Sequence, residues 1–337
     1  MSSGGCTVQG LAFTVQQEAF ASLSADWEAL ATASSSGSIF TTWRWQQLWH
    51  AHLEGDYRLV SLVARDEVGR LVGIAPLAER EGTVVFGGGA EVSDYLDVIV
   101  GDDHRGAIVA ALADALAAAG WLGCDLRSVP AESPLLEALP PALRARGYDV
   151  LVERDDVCPR VELPGDWERY LAQLSKKDRH ELRRKMRRLD AAGQVRWYGI
   201  ADAGDLPAAL DDFLRLHRAS RSEKAVFMDA RRERFFRALA DTFFGSQTMR
   251  LYFLELDGRR VAATICFDHR DETWLYNSGY DPRYGALSVG LVLKALCLQD
   301  AIARGKRCFD FLRGNERYKY DLGASDRLVM RLRARRT

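Results

Sequence analysis

The chain has 337 residues, of which 47% are hydrophobic and 28% charged, a balance typical of a globular protein of about two domains. This excludes a disordered, collagen-like or disulfide-stapled chain. The net charge of −1 conceals an asymmetry, because residues 1–160 contain 11 arginines, no lysine and 22 acidic residues, whereas residues 161–337 contain 35 basic and 25 acidic residues. The basic half is expected either to face an anionic ligand or to complement the acidic half electrostatically.

The first half of the chain alternates between helix and strand patterns. A break at Leu163-Pro164-Gly165 predicts a first domain over residues 1–162. Its predicted helices lie over residues 18–33, 41–53, 105–119 and 133–146, and its predicted strands over residues 6–16, 57–65, 70–79, 83–86, 95–100, 122–129 and 148–162.

The second half, residues 163–337, contains three consecutive strands after a helical start. Its order of elements recurs loosely in the first half, which predicts an α/β (α+β) fold built from a duplicated unit. The predicted helices lie over residues 167–174, 176–192, 206–220, 231–243 and 288–304, and the predicted strands over residues 195–200, 250–256, 260–268, 273–280 and 307–312, before a polar loop and a basic tail.

Cysteine and histidine spacing predicts no metal site. The six cysteines form no Cys-x-x-Cys pair, and most are expected to be buried thiols. His50 and His52 would point about 200° apart on a helix. They are therefore not expected to share a metal ion.

Residues 276–290 form the most informative stretch, because a strand there leads through a glycine-containing loop into an apolar helix. A helix N-terminus offers unpaired N–H groups and a positive dipole end, which suit a pyrophosphate or a similar anion. The glycine spacing matches neither a dinucleotide-binding loop nor a Walker loop. An ordinary strand-to-helix connection is the alternative.

Asp310 lies between two phenylalanines on a predicted strand, where a buried carboxylate needs a partner or a cleft. It is expected either to hydrogen-bond the neighbouring backbone or to take part in chemistry. Lys319 follows in a polar loop; it is either solvated or delivers positive charge to an oxyanion or phosphate.

Candidate substrate-binding residues are found in both halves. The predicted helix that begins at Lys176 and includes Arg179 holds eight basic and two acidic residues up to Arg188, and it is either a solvated amphipathic helix or a surface for the phosphates of a ligand. In the first half, Asp94 and Asp97 flank Tyr95 and are expected either to bind an amine or to cap the strand and pair with arginines of the second half. Arg44, between two tryptophans, either anchors substrate or packs on a tryptophan.

These motifs together resemble the GNAT-superfamily acetyltransferase-like proteins associated with bacterial cellulose biosynthesis, which are similar to the Fem-type aminoacyl-tRNA-dependent transferases. The resemblance implies two tandem GNAT-like domains, each a mixed central sheet flanked by helices, with an acyl-donor loop in the second. The stretches that carry it are Tyr280-Asp281-Pro282 through Gly290, Phe309-Asp310-Phe311, Gly314, Tyr318-Lys319, Phe40 with Trp43 and Trp49, Ile74-Ala75-Pro76-Leu77, Asp94-Tyr95-Leu96-Asp97 and Ser175-Lys176-Lys177 to Arg188.

The resemblance also implies which residues hold the acyl donor, in a loop that departs from the family pattern at one place. The family often has Ser-Pro-Gly where this chain has Ser288-Val289-Gly290, and the glutamine- or arginine-rich loop of ordinary acetyl-CoA-dependent members is absent. The implied donor-binding residues are Tyr284, Gly285, Ser288, Val289 and Gly290.

The function expected from the sequence is transfer of an acyl group from an acyl thioester, either acyl-CoA or carrier-bound, to the amine of a small molecule or peptide. Asp310 is expected to orient or deprotonate the amine, Lys319 to stabilise negative charge, and Tyr280 or Tyr284 to protonate the leaving group. No permanently bound cofactor is expected. Asp310 and Lys319 are further expected to point into one cleft shared by both halves and closed by residues 94–97.

Two alternatives stay open. In the first, the donor is aminoacyl-tRNA, and the basic helix should then form one positive face with the tail arginines Arg331, Arg333, Arg335 and Arg336. In the second, the protein is a non-catalytic binding or scaffold member. The most apolar segment, residues 108–124, carries Asp114 and predicts no membrane span. The first residues resemble no signal peptide, so a cytoplasmic location is expected, whereas the oligomeric state is left open.

Overall fold

The computed structural model describes residues 4–8, 11–53 and 55–337. In chain order the strands are β1 (Gly4–Val8), β2 (Leu11–Glu18), β3 (Arg58–Arg65), β4 (Leu71–Arg80), β5 (Thr83–Phe86), β6 (Ile99–Val100), β7 (Gly123–Pro130), β8 (Tyr148–Glu162), β9 (Val195–Gly199), β10 (Met249–Leu256), β11 (Arg259–His269), β12 (Glu272–Tyr280), β13 (Cys308–Asp310) and β14 (Ser325–Arg336).

The helices alternate with these strands. In chain order they are α1 (Ser24–Ala33), α2 (Trp43–His52), α3 (Arg105–Ala118), α4 (Leu135–Arg144), α5 (Trp167–Gln173), α6 (Lys176–Asp190), α7 (Leu206–Ser220), α8 (Ser222–Phe227), α9 (Ala230–Phe243), α10 (Val289–Ala303) and α11 (Arg317–Asp321). Short 3-10 helices cover Phe20–Leu23, Ile39–Thr41, Ala203–Asp205 and Pro282–Leu287.

The chain divides into two compact units. The N-terminal unit runs to Asp156 and also includes Arg327–Thr337 from the end of the chain, whereas the C-terminal unit is Val157–Asp326. The division predicted between residues 162 and 163 differs from this one, because β8 continues without interruption from one unit into the other. The predicted basic tail is strand β14, which pairs with β7 from Val329 to Arg335 and so belongs to the N-terminal unit.

The N-terminal unit contains a mixed sheet in the order β1-β2-β3-β4-β5-β7-β14. These neighbours are antiparallel except β5 and β7, which are parallel, and β6 adds to β4. Period-two alternation in β3 and β4 turns one side chain in two towards α1, where Trp27, Val63 and Ile74 are buried together.

The C-terminal unit contains six strands of mixed direction, in the order β8-β13-β12-β11-β10-β9. Only the β12–β13 neighbours are parallel among these described strands. The apolar helix α10 packs on these strands, and its Leu293 is buried in a core with Leu254 of β10, Phe309 of β13 and Leu182 of α6. The Ser175 hydroxyl caps α6 by accepting from the Asp178 N–H at 3.1 Å.

Several predicted elements need correction. Strand β2 extends to Glu18, so the helix predicted from residue 18 begins as an α-helix only at Ser24. The strand predicted over residues 95–100 is the short β6, because its first part hydrogen-bonds outside a ladder. Helices α8 and α11 lie where the sequence predicted loops.

The described part of the chain also bears on membrane spans, thiols and metal sites. None of its helices is long and apolar enough to cross a membrane. Cys124, Cys158, Cys266, Cys297 and Cys308 are free and buried, which confirms the prediction of buried thiols. The described residues contain no group of three or more side chains suited to hold a metal ion.

Candidate active site

Strand β12 has an open edge in the C-terminal unit. It pairs with β11 from Glu272 to Tyr280, whereas its described pairing with β13 covers only residues 272–274 against 308–310. Beyond Trp274 the two parallel strands therefore separate. The register with β11 also shifts, so that Tyr276 is an extra residue on β12, and such bulges commonly re-aim the backbone beside functional sites.

The open edge of β12 leads directly to the N-terminus of α10. Ser288, the residue before the helix, has a positive φ of 57° and does not cap the helix with its side chain. Its hydroxyl instead accepts from Nη2 of Arg188 on α6 at 3.3 Å. A guanidinium group and the positive end of a 15-residue helix thus lie together, a combination that favours an anion.

A cavity of about 210 Å³ lies between α6, α10 and α11. Its basic lining residues are Lys177 and Lys185 of α6 and Arg317 of α11, and Leu291 contributes the first turn of α10. Three acidic side chains, Asp178, Glu181 and Asp321, also line it. Its charge is therefore balanced, which distinguishes it from a simple basic patch.

The predicted donor-loop residues do not all share one environment. Tyr284 lines a different cavity, of about 450 Å³, together with Arg215, Arg259 and Arg283. A Cβ atom on Gly285 would meet nothing within 4 Å, so this glycine borders open space. A Cβ atom on Gly290 would instead lie 3.1 Å from the ring of Tyr280. Packing of α10 on β12 thus explains Gly290 without a ligand, and Tyr280 is half-buried in that contact.

Asp310 is completely buried at the end of β13. Its Oδ1 accepts from the Leu312 N–H at 2.7 Å, and Leu312 has the unfavourable positive φ of 55°. The carboxylate thus holds the sharp turn that follows β13. Of the two roles expected from the sequence, this geometry favours the hydrogen bond to the neighbouring backbone.

Lys319 lies on α11 and is only 2% exposed. Its ammonium donates to the carbonyl oxygens of Leu312, Arg313 and Gly314 at 2.8 to 2.9 Å, and it pairs with Glu316 at 3.0 Å. Burial raises the pKa of Glu316, but the Lys319 charge and hydrogen bond more than offset this and lower it. Lys319 therefore braces the turn after β13, which differs from the solvated or reaching lysine expected from the sequence.

A cluster of polar residues that the sequence analysis missed lies along the end of β12. His217 of α7 is 1% exposed and hydrogen-bonds Asn277 of β12, while Lys224 of α8 donates to the main-chain oxygen of Ser278. On α10, Lys294 donates to the Gly290 carbonyl at 3.1 Å. His217 and Lys224 lie on two helices separated by the extended residue Arg221, and the sequence predicted a loop after residue 220, so no helical period links them.

The basic helix α6 is amphipathic, as expected: Leu182 and Leu189 are buried, and Lys176 is exposed while Arg179 is half-buried. Some of its charges are neutralised within the unit, since Arg183 pairs with Glu168 at 2.7 Å, and Glu181 contacts Arg184 and Lys185. Both interpretations of this helix stay open.

The predicted substrate residues of the N-terminal unit make contacts within that unit. The exposed Arg44 lies 3.9 Å from Glu28, and the buried Tyr95 packs under the guanidinium of Arg327, 4.6 Å from its ring centre. Burial raises the pKa of Asp97 to about 7, against hydrogen bonds from Ser133 and the Val98 N–H. A carboxyl group that is partly protonated at neutral pH is poorly suited to bind an ammonium group.

Asp94 is half-buried in the same segment. Two of the four tail arginines predicted to extend a positive face are ion-paired within the N-terminal unit, with Arg331 at 2.6 Å from Asp125 and Arg333 at 2.7 Å from Glu153. The charge of these two arginines is therefore largely neutralised, whereas Arg335 and Arg336 are exposed.

One family model matches part of the C-terminal unit. Residues 176–320 match the family described as acetyltransferase (GNAT) domain, a segment shorter than half of the chain that contains the open edge of β12, the predicted donor loop and α10. No curated protein sequence matches the chain significantly.

Solved structures share the fold along nearly the whole chain. FemX superposes with a TM-score of 0.64 at 9% identity, covering 94% of this chain and 96% of its own. L-PGS from Bacillus licheniformis gives 0.57 at 13% identity, covering 93% and 92%. The C-terminal domain (DUF2156) of a putative lysylphosphatidylglycerol synthetase from Agrobacterium fabrum gives 0.57 at 10% identity, covering 94% and 92%. At such identities the likeness concerns the fold alone. The predicted fold class, a mixed α/β fold with a large mixed sheet flanked by helices, is confirmed.

Proposed function

We propose that the protein is an N-acyltransferase that moves an acyl group from a thioester, acyl-CoA or carrier-bound, to an amine. The observation that carries the proposal is the open edge of β12 leading into the N-terminus of α10, within the segment that matches the GNAT acetyltransferase domain. Backbone groups of β12 beyond its pairing with β13 can hydrogen-bond the arm of an extended donor, as an added strand would, except at Ser278, whose carbonyl and N–H already bond Lys224 and Asn277. A peptide N–H there can also stabilise the oxyanion of the tetrahedral intermediate.

The donor's phosphates are proposed to bind where α10 begins. The N–H groups of Val289 and Gly290 belong to the first turn, whose donors have no partner within the helix. Arg188 supplies a guanidinium beside Ser288, and Gly285 leaves open space along the loop. Tyr284, which lines the neighbouring cavity, stays a candidate contact for the donor.

The roles proposed for Asp310 and Lys319 follow from their burial. Both groups are engaged with the turn over residues 312–314, so we assign them to positioning the chain beside the reacting carbonyl rather than to contact with substrate. Tyr280 keeps the role of proton donor to the leaving sulfur, because it ends the open edge of β12. The acceptor is an amine-bearing small molecule or peptide, and a cytoplasmic location accompanies this proposal.

Assays with purified protein test the proposal directly. Acetyl-CoA and longer acyl-CoA thioesters are incubated with amino sugars, amino acids and short peptides, without RNA, and both free thiol and acylated product are measured. We expect Arg188→Met to raise the donor KM at least tenfold with little change in kcat, since it removes a charged contact to the donor. Arg187→Met, at the exposed neighbouring position, is the matched control and should behave as wild type. Absence of transfer from every thioester would refute the proposal.

An aminoacyl-tRNA donor is the second candidate, favoured by the fold shared with FemX together with the exposed Lys176 and Lys177 of α6. Each phosphate contact contributes a slope of roughly −0.7 to −0.9 in log K against log salt. A Lys176→Glu/Lys177→Glu variant should therefore bind tRNA more weakly and with a flatter salt dependence. Transfer from acyl-CoA without RNA, unaffected in that variant, would exclude this candidate.

A further inference from the structure

Helix α7 and the short α8 carry two ionisable side chains to the end of β12. The approach is close, because a Cβ atom on Gly279 would overlap the backbone of His217 and Leu216. Arg218 then fixes the chain after α8 by donating to the Met228 carbonyl at 3.0 Å and pairing with Glu233. The position of Lys224 relative to β12 is therefore set by backbone packing and not by a mobile loop.

The ammonium of Lys224 lies at the open edge of β12. It donates to the main-chain oxygen of Ser278, four residues beyond Trp274, the last residue of β12 that pairs with β13. Lysine side chains usually extend into water, yet this one is half-buried against the strand. A Met or Leu at position 224 would fill this space without a partly buried charge. Stability alone therefore does not explain why a lysine is placed at this edge of β12.

The surroundings of Lys224 lower the pKa of its ammonium group. Burial lowers its pKa most, the neighbouring charges of Lys294 on α10 and Arg221 before α8 lower it further, and Glu316 before α11 opposes them, so that the pKa of Lys224 is about 7. Burial likewise lowers the pKa of His217 to about 3, so the imidazole is neutral. A substantial fraction of Lys224 is therefore the free amine at neutral pH, which is the range that suits a general base.

We propose that Lys224 is the general base that takes the proton from the acceptor amine, a role that rests on the proposed acyltransferase function. The acceptor nitrogen attacks the thioester carbonyl carbon and forms the C–N bond, while one of its protons passes to the lone pair of the Lys224 Nζ. The C–S bond then breaks, the leaving sulfur takes a proton from the Tyr280 hydroxyl, and the proton on Lys224 is released to solvent, from which Tyr280 regains one. A neutral amine keeps two N–H bonds, so Nζ can stay anchored on the Ser278 carbonyl throughout.

The test compares Lys224→Met with Lys306→Met in transfer from acetyl-CoA to the amine that the wild type acetylates fastest. Lys306 is a matched control, because it also donates to a main-chain oxygen, that of Arg270 at 2.8 Å, and lies near the opposite end of β12. We expect Lys224→Met to lower kcat about 100-fold or more, with donor KM and melting temperature near wild type, and Lys306→Met to retain wild-type kcat.

The pH profile separates a base from a fixed charge. In the wild type kcat should rise with pH through a midpoint near the pKa of Lys224, about 7, and this limb should vanish in Lys224→Met. Lys224→Arg keeps the charge but not the titration, and it should be as inactive as Lys224→Met. Wild-type activity in Lys224→Met, or full rescue by Lys224→Arg, would overturn the inference, and because the wild type transfers in both cases, the proposed function would stand.

A measurement on the unmodified protein covers the case in which Lys224→Met does not fold. Competitive labelling with an amine-reactive reagent at a series of pH values, read by mass spectrometry at each lysine, gives the titration midpoint of Lys224. A midpoint near 7 supports the role, whereas a midpoint near 10, as for an exposed lysine, overturns it. This result does not depend on the identity of the donor or on any transfer activity.

Discussion

The two units share a strand order but differ in the segment that connects their third strand to the next long helix. In the N-terminal unit β3, β4, β5 and β7 are neighbours in that order, and in the C-terminal unit β10, β11, β12 and β13 repeat it, with the last pair parallel in each. A long helix, α3 or α10, precedes the final strand in both. The topology is therefore duplicated although no repeat is visible in the sequence.

The connecting segment leaves one unit closed and the other open. After β5 the chain returns over residues 87–98, so that the Leu96 N–H donates to the Ser128 carbonyl of β7 at 3.0 Å, and side chains of α2 lie against its three glycines. After β12 the chain instead passes through one short 3-10 helix into α10. In the N-terminal unit, the chain itself thus fills the position that corresponds to the open edge of β12 in the C-terminal unit. Chemistry should therefore be sought in the C-terminal unit.

The largest effect on stability should come from a substitution in the close contact between α7 and β12. Gly279→Ala places a methyl group against the backbone of His217, and because backbone cannot rotate away as a side chain can, we expect a loss of about 3 kcal/mol in the free energy of unfolding. Gly106→Ala in α3 of the N-terminal unit is the matched control, since its Cβ would meet nothing within 4 Å. It should leave stability unchanged or raise it by up to about 1 kcal/mol. Urea titrations check both, and equal midpoints would contradict the close packing of α7 on β12.

The next effect concerns the turn after β13. Asp310→Asn keeps the shape but removes the charge that strengthens the bond from the Leu312 N–H, so we expect a loss of about 1 to 2 kcal/mol in the free energy of unfolding. Turnover per folded molecule should change little, because the carboxylate is proposed to position the turn. Loss of turnover at an unchanged melting temperature would return Asp310 to the role of base expected from the sequence.

The half-buried Asp97 of the N-terminal unit should make the stability of the protein depend on pH. Burial raises the pKa of Asp97 to about 7, so between pH 4 and 7 the folded state keeps a proton that the unfolded state has released. The free energy of unfolding therefore falls as pH rises through this range. Asp97→Asn should flatten that fall, seen as a smaller difference between urea midpoints at pH 5 and pH 8. The exposed Asp103→Asn is the control, and an identical slope in wild type and Asp97→Asn would refute this role.

Sequence patterns predicted the helices and strands of the C-terminal unit well because those elements are long and regular. The helix predicted over residues 206–220 matches α7 residue for residue, and three strands are correct within one residue. The strand β14 was missed because arginines alternate with its apolar residues, and only the partners Asp125 and Glu153, about 200 positions earlier, show why a strand can carry them. Charge neutralisation across such a distance is not visible in a local window.

The sequence predicted where the candidate site lies in the chain, but not which side chains act in it. The donor loop followed from a local pattern of strand, loop and helix, but the roles of Asp310 and Lys319 depend on which carbonyl and N–H groups the turn over residues 312–314 presents to them. Lys224 was overlooked because α8 has six residues and no apolar period of its own. Its significance arises from burial against β12, a tertiary contact without a sequence signal.

The smallest effect should come from Gly290, and it decides why that glycine is present. A Cβ atom there would lie 3.1 Å from the Tyr280 ring, and since a ring can move by a few tenths of an ångström, we expect Gly290→Ala to cost at most about 1 kcal/mol in the free energy of unfolding. Donor KM should change less than threefold if helix packing on β12 is the reason for the glycine. If the donor's phosphates require a bare backbone, donor KM should instead rise at least tenfold at unchanged stability. Gly285→Ala, whose Cβ would border open space, distinguishes the two, because it adds the same methyl group to the loop without touching Tyr280.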